Sequence, residues 1–265
     1  MNSEIVITNA TRKLVKSLGQ GRHRRREGLF VAEGTKCVVD TAAAFECRML
    51  LATRAWLDEH ADFAAGRPVA VATRADMERM TQLATAPEVI AVYAIPEPVQ
   101  LTPETLRGEL VVALDRIQDP GNLGTIVRVC DWMGVRHIIA SEDTVDIFNP
   151  KVVQATMGSL SRVSVWYTDL PAALNSMAAA GVPIFGTLLD AGAENIYTAR
   201  LPQEAVLVMG NEGSGLSEAV RAMVTRRIYI PPYPADADTA ESLNVAVATS
   251  IALAQFRRTA FTHNS

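Results

Sequence analysis

Five polar residues in three short stretches have the types and settings to do chemistry together. In the first stretch, DRIQDPGNLGTIVR (115–128), Gly121 and Gly124 let the backbone turn closely into a helix. Asn122 then either caps that helix or holds a ligand. Arg128 stands among Ile126, Val127, Val129 and Cys130. It either snorkels to solvent or aims its guanidinium fork into a site, where it could grip phosphate. In the second stretch, MGNEGSGL (209–216), Glu212 either caps the following helix or serves a site. In the third, Ile230–Asn244, Ser242 is a good helix N-cap, and the Asn244 amide heads an otherwise apolar helix, where a buried amide needs partners. The histidines at 23, 60, 137 and 263 are scattered, so no metal site is expected, and there is no GxSxG elbow. A GK[ST] phosphate loop is missing, as is a GxGxxG in the first βα turn. P-loop and dehydrogenase chemistry are set aside accordingly.

The elements that must position these residues follow from the hydropathy pattern. Each stretch continues an apolar strand and runs towards a helix. Ligands in open α/β sheets sit beyond the carboxyl ends of the strands, so all three loops are expected to line one site. Strands are expected at Leu29–Ala32, 109–115, 205–210 and in RRIYIPP. Helices are expected at Thr35–Phe45, at Asn122–Met133 with Gly134 past its end, after the Asn149-Pro150 cap, and over 242–258. This alternation implies an α/β layer structure. The proline-rich segment IPEPVQLTPET (95–105) is the best linker candidate. The expected division is a domain over 1–100, a linker over 101–108 and a domain over 109–265.

The chain has 265 residues, 49% of them hydrophobic and 20% charged, a globular rather than disordered composition. Three cysteines, with no CxxC or Cys/His spacing, argue against a disulfide framework or zinc ribbon and fit a reducing, cytoplasmic compartment. No run of about 18 apolar residues is present, so no membrane span is expected. The N-terminus does not read as a secretory signal. A net charge of −4 speaks at first against a nucleic-acid partner. The charge is uneven, however. Residues 12–26 carry seven Lys/Arg and no acid, and residues 1–100 hold 13 Lys/Arg against 12 Asp/Glu. Arg22, Arg24, Arg25 and Arg26 are therefore expected to form a phosphate-contacting patch of the kind a nucleic acid meets, the alternative being a solvated helix end. Glycines at 19, 21 and 28 make one continuous basic helix improbable.

Taken together, the three stretches resemble the SpoU/TrmH family of RNA ribose 2′-O-methyltransferases, within the SPOUT superfamily. DPGNLGTIVRVCDWMGV resembles motif one, with its Asn and Arg at Asn122 and Arg128. VMGNEGSGLS resembles motif two, with Glu212, and IYIPPYPADADTAESLNVAVATSIALAQF resembles motif three, with Ser242 and Asn244. The resemblance covers about residues 109–258. RRREGLFVAEGTKCVVD and PEVIAVYAIPEP look like the small ribosomal-protein-like substrate-binding domain that precedes many members. It implies an α/β fold with a C-terminal trefoil knot. It also implies S-adenosylmethionine held at Thr187, Leu188, Gly210, Ile230 and Leu243, and a homodimer with the active site near the interface. The family's compact IPMxGxxxSLN is replaced by PPYPADADTAE, longer, acidic and without the glycine, which would reshape the cofactor loop.

The reaction implied is in-line transfer of a methyl group to a ribose 2′-oxygen, a group found only in RNA. Some accounts of the family make the motif-one arginine a general base. A guanidinium does not give up its proton in proteins. Arg128 is expected instead to grip the neighbouring phosphate and favour the developing alkoxide, with Asn122, Glu212 and Ser242 orienting it. The leading substrate is rRNA, because a separate N-terminal module is common among rRNA-acting members. Competing readings are the same chemistry on tRNA, a catalytically silent RNA-binding protein of the same fold, and an ordinary nucleotide-binding α/β enzyme.

Overall fold

The apolar runs of the chain sort into two sheets with separate cores. The computed structural model describes residues 5–98, 100–188, 190, 192–234, 240 and 242–263, with side chains through 258. Two compact units result, 1–97 with 146–162, and 98–145 with 163–265.

The first unit begins with α1 (Asn9–Ser17) and α2 (Gly21–Glu27), so the basic stretch forms two helices interrupted near Gly19. There follow β1 (Leu29–Glu33), α3 (Thr35–Thr41), β2 (Cys47–Ala52), α4 (Arg54–Glu59), α5 (Ala61–Ala64), β3 (Val69–Val71), α6 (Arg74–Met80) and β4 (Val89–Ala94). Its sheet has the order β1-β4-β2-β3, with β4 antiparallel to β1 and β2, and β3 parallel to β2. Val15, Leu18, Met77 and Met80 are buried against Val31, Leu51 and Ile90 of the sheet.

The second unit is built on β5 (Leu110–Leu114), α7 (Pro120–Trp132) and β6 (His137–Ser141). The chain then contributes α8 (Pro150–Thr156) to the first unit. The Phe148 ring lies tilted against Phe30, centroids 4.7 Å apart, beside Phe45 and Tyr93, which accounts for residues 146–162 packing there although the motifs place them within the C-terminal stretch. The second unit continues with β7 (Ser164–Thr168), α9 (Leu170–Ala179), β8 (Ile184–Thr187), β9 (Glu194–Asn195), β10 (Ala205–Met209), α10 (Glu218–Met223), β11 (Arg226–Tyr229) and α11 (Val245–His263). All pairings in its seven-stranded sheet are parallel, in the order β7-β6-β5-β10-β8-β11-β9. The central strands β5 and β10 are wholly buried, as a parallel sheet covered on both faces requires. The proposed linker 101–108 is not a free tether, since Leu101 and Leu106 are buried in this core.

Candidate active site

The strand order brings together the carboxyl ends that carry the motifs. β5, β10, β8 and β11 are successive neighbours. Their ends deliver Asp115, Gly210, Thr187 with Leu188, and Ile230 to one edge of the sheet. Asp115 continues the β5 ladder, its N–H donating to Met209 O at 2.9 Å. Gly210 permits the close turn that follows β10. A Cβ there would lie 2.5 Å from the carbonyl carbon of Gly215 and 2.6 Å from Leu216 N, so no other residue fits without moving backbone. The loop beyond it closes on itself, with Asn211 and Gly215 exchanging N–H···O bonds of 3.0 and 2.9 Å. Inside it, Asn211 Oδ1 accepts from Gly213 N, Ser214 N and Ser214 Oγ.

Three of the five motif residues are joined by hydrogen bonds. Asn122 Nδ2 donates to Glu212 Oε1 at 2.9 Å, and Asn244 Nδ2 donates to Asn122 Oδ1 at 2.9 Å. The remaining Asn244 oxygen accepts from Ala246 N at 2.9 Å and Val247 N at 3.3 Å. Asn244 therefore caps α11, and Ser242, the expected cap, does not. Asp119 caps α7, its Oδ1 accepting from Asn122 N at 2.8 Å, which leaves the Asn122 side chain to the network. Glu212 does not cap a helix either, because Ser217 caps α10.

Arg128 lies further along α7, exposed and without a hydrogen bond or ion pair among the described residues. Ser242 is likewise exposed and outside the network among those residues. Leu188 and Ile230 are half-buried and Leu243 is 50% exposed, so apolar side chains stand beside strand-end backbone groups. That donor set suits a purine and a methionyl chain, and the residues fit S-adenosylmethionine. Residues 235–239 and 241 of the acidic segment 231–241 lie outside the described residues.

Of the four arginines expected to face RNA, Arg22, Arg25 and Arg26 are exposed. Arg24 is 2% exposed. Its Nε and Nη2 both donate to Asp146 Oδ2, at 2.9 and 2.6 Å, and its Nη1 donates to Leu18 O. Arg24 is therefore a structural residue, a correction the charge run gave no sign of. Two buried thiols are poor nucleophiles: burial pushes Cys37 up to about 11 and raises Cys130 further. Among the described residues no three His, Cys, Asp or Glu side chains could hold a metal ion, and no helix is long and apolar enough to cross a membrane. Sequence reasoning passed over Asp115, Arg116 and Asn211, which brace the second motif loop. Their only local signal is polar character at the ends of buried strands.

Comparison with known proteins agrees with this geometry. The SpoU rRNA Methylase family matches residues 109–254, and an MRM3-like substrate binding domain matches residues 9–91. The 23S rRNA (guanosine(2553)-2′-O)-methyltransferase RlmP of Bacillus subtilis is 34% identical over 67% of this chain and 68% of its own length. An AdoMet-bound rRNA methyltransferase from Sinorhizobium meliloti superposes with a TM-score of 0.83 at 32% identity, covering 97% of this chain and 98% of that one. The SpoU methyltransferase AviRb from Streptomyces viridochromogenes, in complex with AdoMet, gives 0.81 at 27% identity, covering 96% and 99%. With motif-one, motif-two and motif-three residues hydrogen-bonded at one sheet edge and the family pattern spanning more than half its length, this chain belongs to the SpoU rRNA methylase family.

Proposed function

We propose that the protein transfers a methyl group from S-adenosylmethionine to a ribose 2′-oxygen of rRNA. The observation that carries this reading is the amide chain from Asn244 through Asn122 to Glu212, which joins side chains 122 and 90 positions apart. The relatives named for 23S rRNA favour rRNA over tRNA.

When bound, the cofactor supplies a methyl group on a sulfonium leaving group, so the protein's part is orientation and the handling of one proton. Thr187, Leu188, Gly210, Ile230 and Leu243 would hold it. Arg128, exposed and unpaired among the described residues, would grip the phosphate beside the reacting ribose and favour charge developing on the 2′-oxygen. Asn122, Glu212, Asn244 and Ser242 would fix the head of α7 and α11 around it. Arg22, Arg25 and Arg26 would supply docking contacts to RNA phosphates; Arg24 leaves that set. Three free thiols suit the reducing cytoplasm.

A homodimer is part of the proposal. Trp132, one turn past Arg128 on the same face of α7, is 85% exposed, and Leu243 and Val247 at the head of α11 are about half exposed. Helices α7 and α11 pack together. Large apolar side chains left in water there suit an interface with a second copy. Sedimentation is expected to give a dimer, and Trp132→Glu to shift it towards monomer.

The test is to map 2′-O-methyl sites in total RNA from cells with and without the gene, alongside calorimetry with S-adenosylmethionine. One rRNA site lost with the gene, and stoichiometric cofactor binding, are expected. A lost tRNA site would move the substrate, and no cofactor binding would favour the silent RNA-binding reading.

A further inference from the structure

Arg116 lies between β5 and α7, outside every motif position, and its backbone is unusual. Its φ is 59°, in the left-handed region that L side chains rarely occupy. Glycine or asparagine adopts that conformation more readily, so an arginine there calls for contacts that need its side chain.

Backbone and side chain of Arg116 together grip both feet of the second motif loop, and the guanidinium supplies the bond at Gly215. The Arg116 carbonyl accepts from Asn211 Nδ2 at 2.8 Å, and its Nη2 donates to Gly215 O at 3.3 Å. Asn211 and Gly215 are the two residues that close the loop, and Glu212 sits between them. Two further bonds hold Arg116 itself. Its N–H donates to Ser141 Oγ at 2.9 Å, and its Nε donates to Asp115 Oδ1 at 3.3 Å. Asp115 is 2% exposed, and its other oxygen accepts from Ser217 N at the start of α10. The loop is thus held from β6, from the end of β5 and from α10. Asn211 Nδ2 also reaches Glu212 Oε2 at 3.4 Å, which makes the path from Arg116 to the Glu212–Asn122 bond continuous.

We propose that Arg116 is a positioning residue for the methyl transfer: it sets the pitch of the 211–215 loop and so holds the Glu212 carboxylate on Asn122. This rests on the methyltransferase reading of the same site. A side chain used to orient another need not touch substrate, yet a small misplacement of the reacting groups costs rate steeply.

Two variants separate the clamp from a folding role. Arg116→Asn keeps the left-handed backbone and its carbonyl but removes both guanidinium bonds. Arg116→Lys keeps a cation long enough to reach Gly215 O. The single-turnover rate on rRNA should fall about tenfold in Arg116→Asn and recover most of that in Arg116→Lys. The cofactor KM and the melting temperature should stay near wild type in both. Amide hydrogen exchange over 211–215 should speed up in Arg116→Asn alone. A rate within twofold of wild type with unchanged exchange overturns the proposal. So does an equal loss in both variants accompanied by a lower melting temperature. If the wild-type protein transfers no methyl group, the methyltransferase reading has failed, and the exchange measurement still decides whether the clamp exists.

Discussion

Around Asn122, polar side chains hold one another; along α2, most of the arginines hold nothing distant among the described residues. The Asn122 amide spends both its ends on protein, donating to Glu212 and accepting from Asn244. Among the described residues, Arg26 of α2 pairs only with adjacent Glu27, and Arg22 contacts only adjacent His23. Arg24 is the exception, buried on Asp146 and Leu18 O. A pre-bonded network fixes geometry before a ligand arrives, as a reacting centre needs. Loose exposed arginines supply adjustable attraction, which suits a phosphate backbone whose path varies. The molecule keeps these two solutions in separate units.

The largest expected effect lies beside the network. Arg128→Ala should slow single-turnover methylation by about 10²–10³-fold with cofactor affinity unchanged. Arg128→Lys sharpens this: near wild-type rate would show that a planar, bidentate grip is not essential. Next, Arg24→Ala should destabilise the first unit by about 2–3 kcal/mol, read by chemical denaturation. That is at the low end for a broken buried pair because the Asp146 side chain is 31% exposed. If Arg24→Ala instead weakens RNA binding without loss of stability, the division between buried and free arginines on α2 is wrong. Third, Asn122→Ala and Asn244→Ala should each slow methylation about tenfold, and together by much less than the product, because one bond joins them. Additive losses would break the network picture. The smallest effect belongs to α2: Arg25→Ala with Arg26→Ala should lower the slope of log K for RNA against log salt by about 1–2, with cofactor affinity unchanged. An unaltered slope removes these residues from docking.

What the sequence reveals here tracks how local the cause is. The Asn149-Pro150 cap, Gly134 beyond α7 and the break in the basic run near Gly19 are set by neighbours, and each is where the pattern puts it. The three motif loops meet because strand ends in a parallel sheet share an edge, which alternation alone implies. The capping residues were harder. Both Ser242 and Asn244 suit an N-cap, and the choice rests on Asn122, whose amide is 122 positions away. Arg24 reads like its basic neighbours because Asp146 is equally distant in sequence. Residues 146–162 pack with the first unit through Phe148 on Phe30, a contact no periodicity encodes. Arg116 was invisible for a different reason: a positive φ is a property of the backbone, and arginine does not advertise it.

The most direct measurement of the central claim uses an rRNA fragment carrying the mapped target, made once with ribose and once with 2′-deoxyribose at that nucleotide. Incubated with labelled S-adenosylmethionine, the ribose fragment should take up one methyl group, lost in Arg128→Ala, and the deoxy fragment none. Equal labelling of both fragments would place the methyl group elsewhere than the 2′-oxygen and contradict the account.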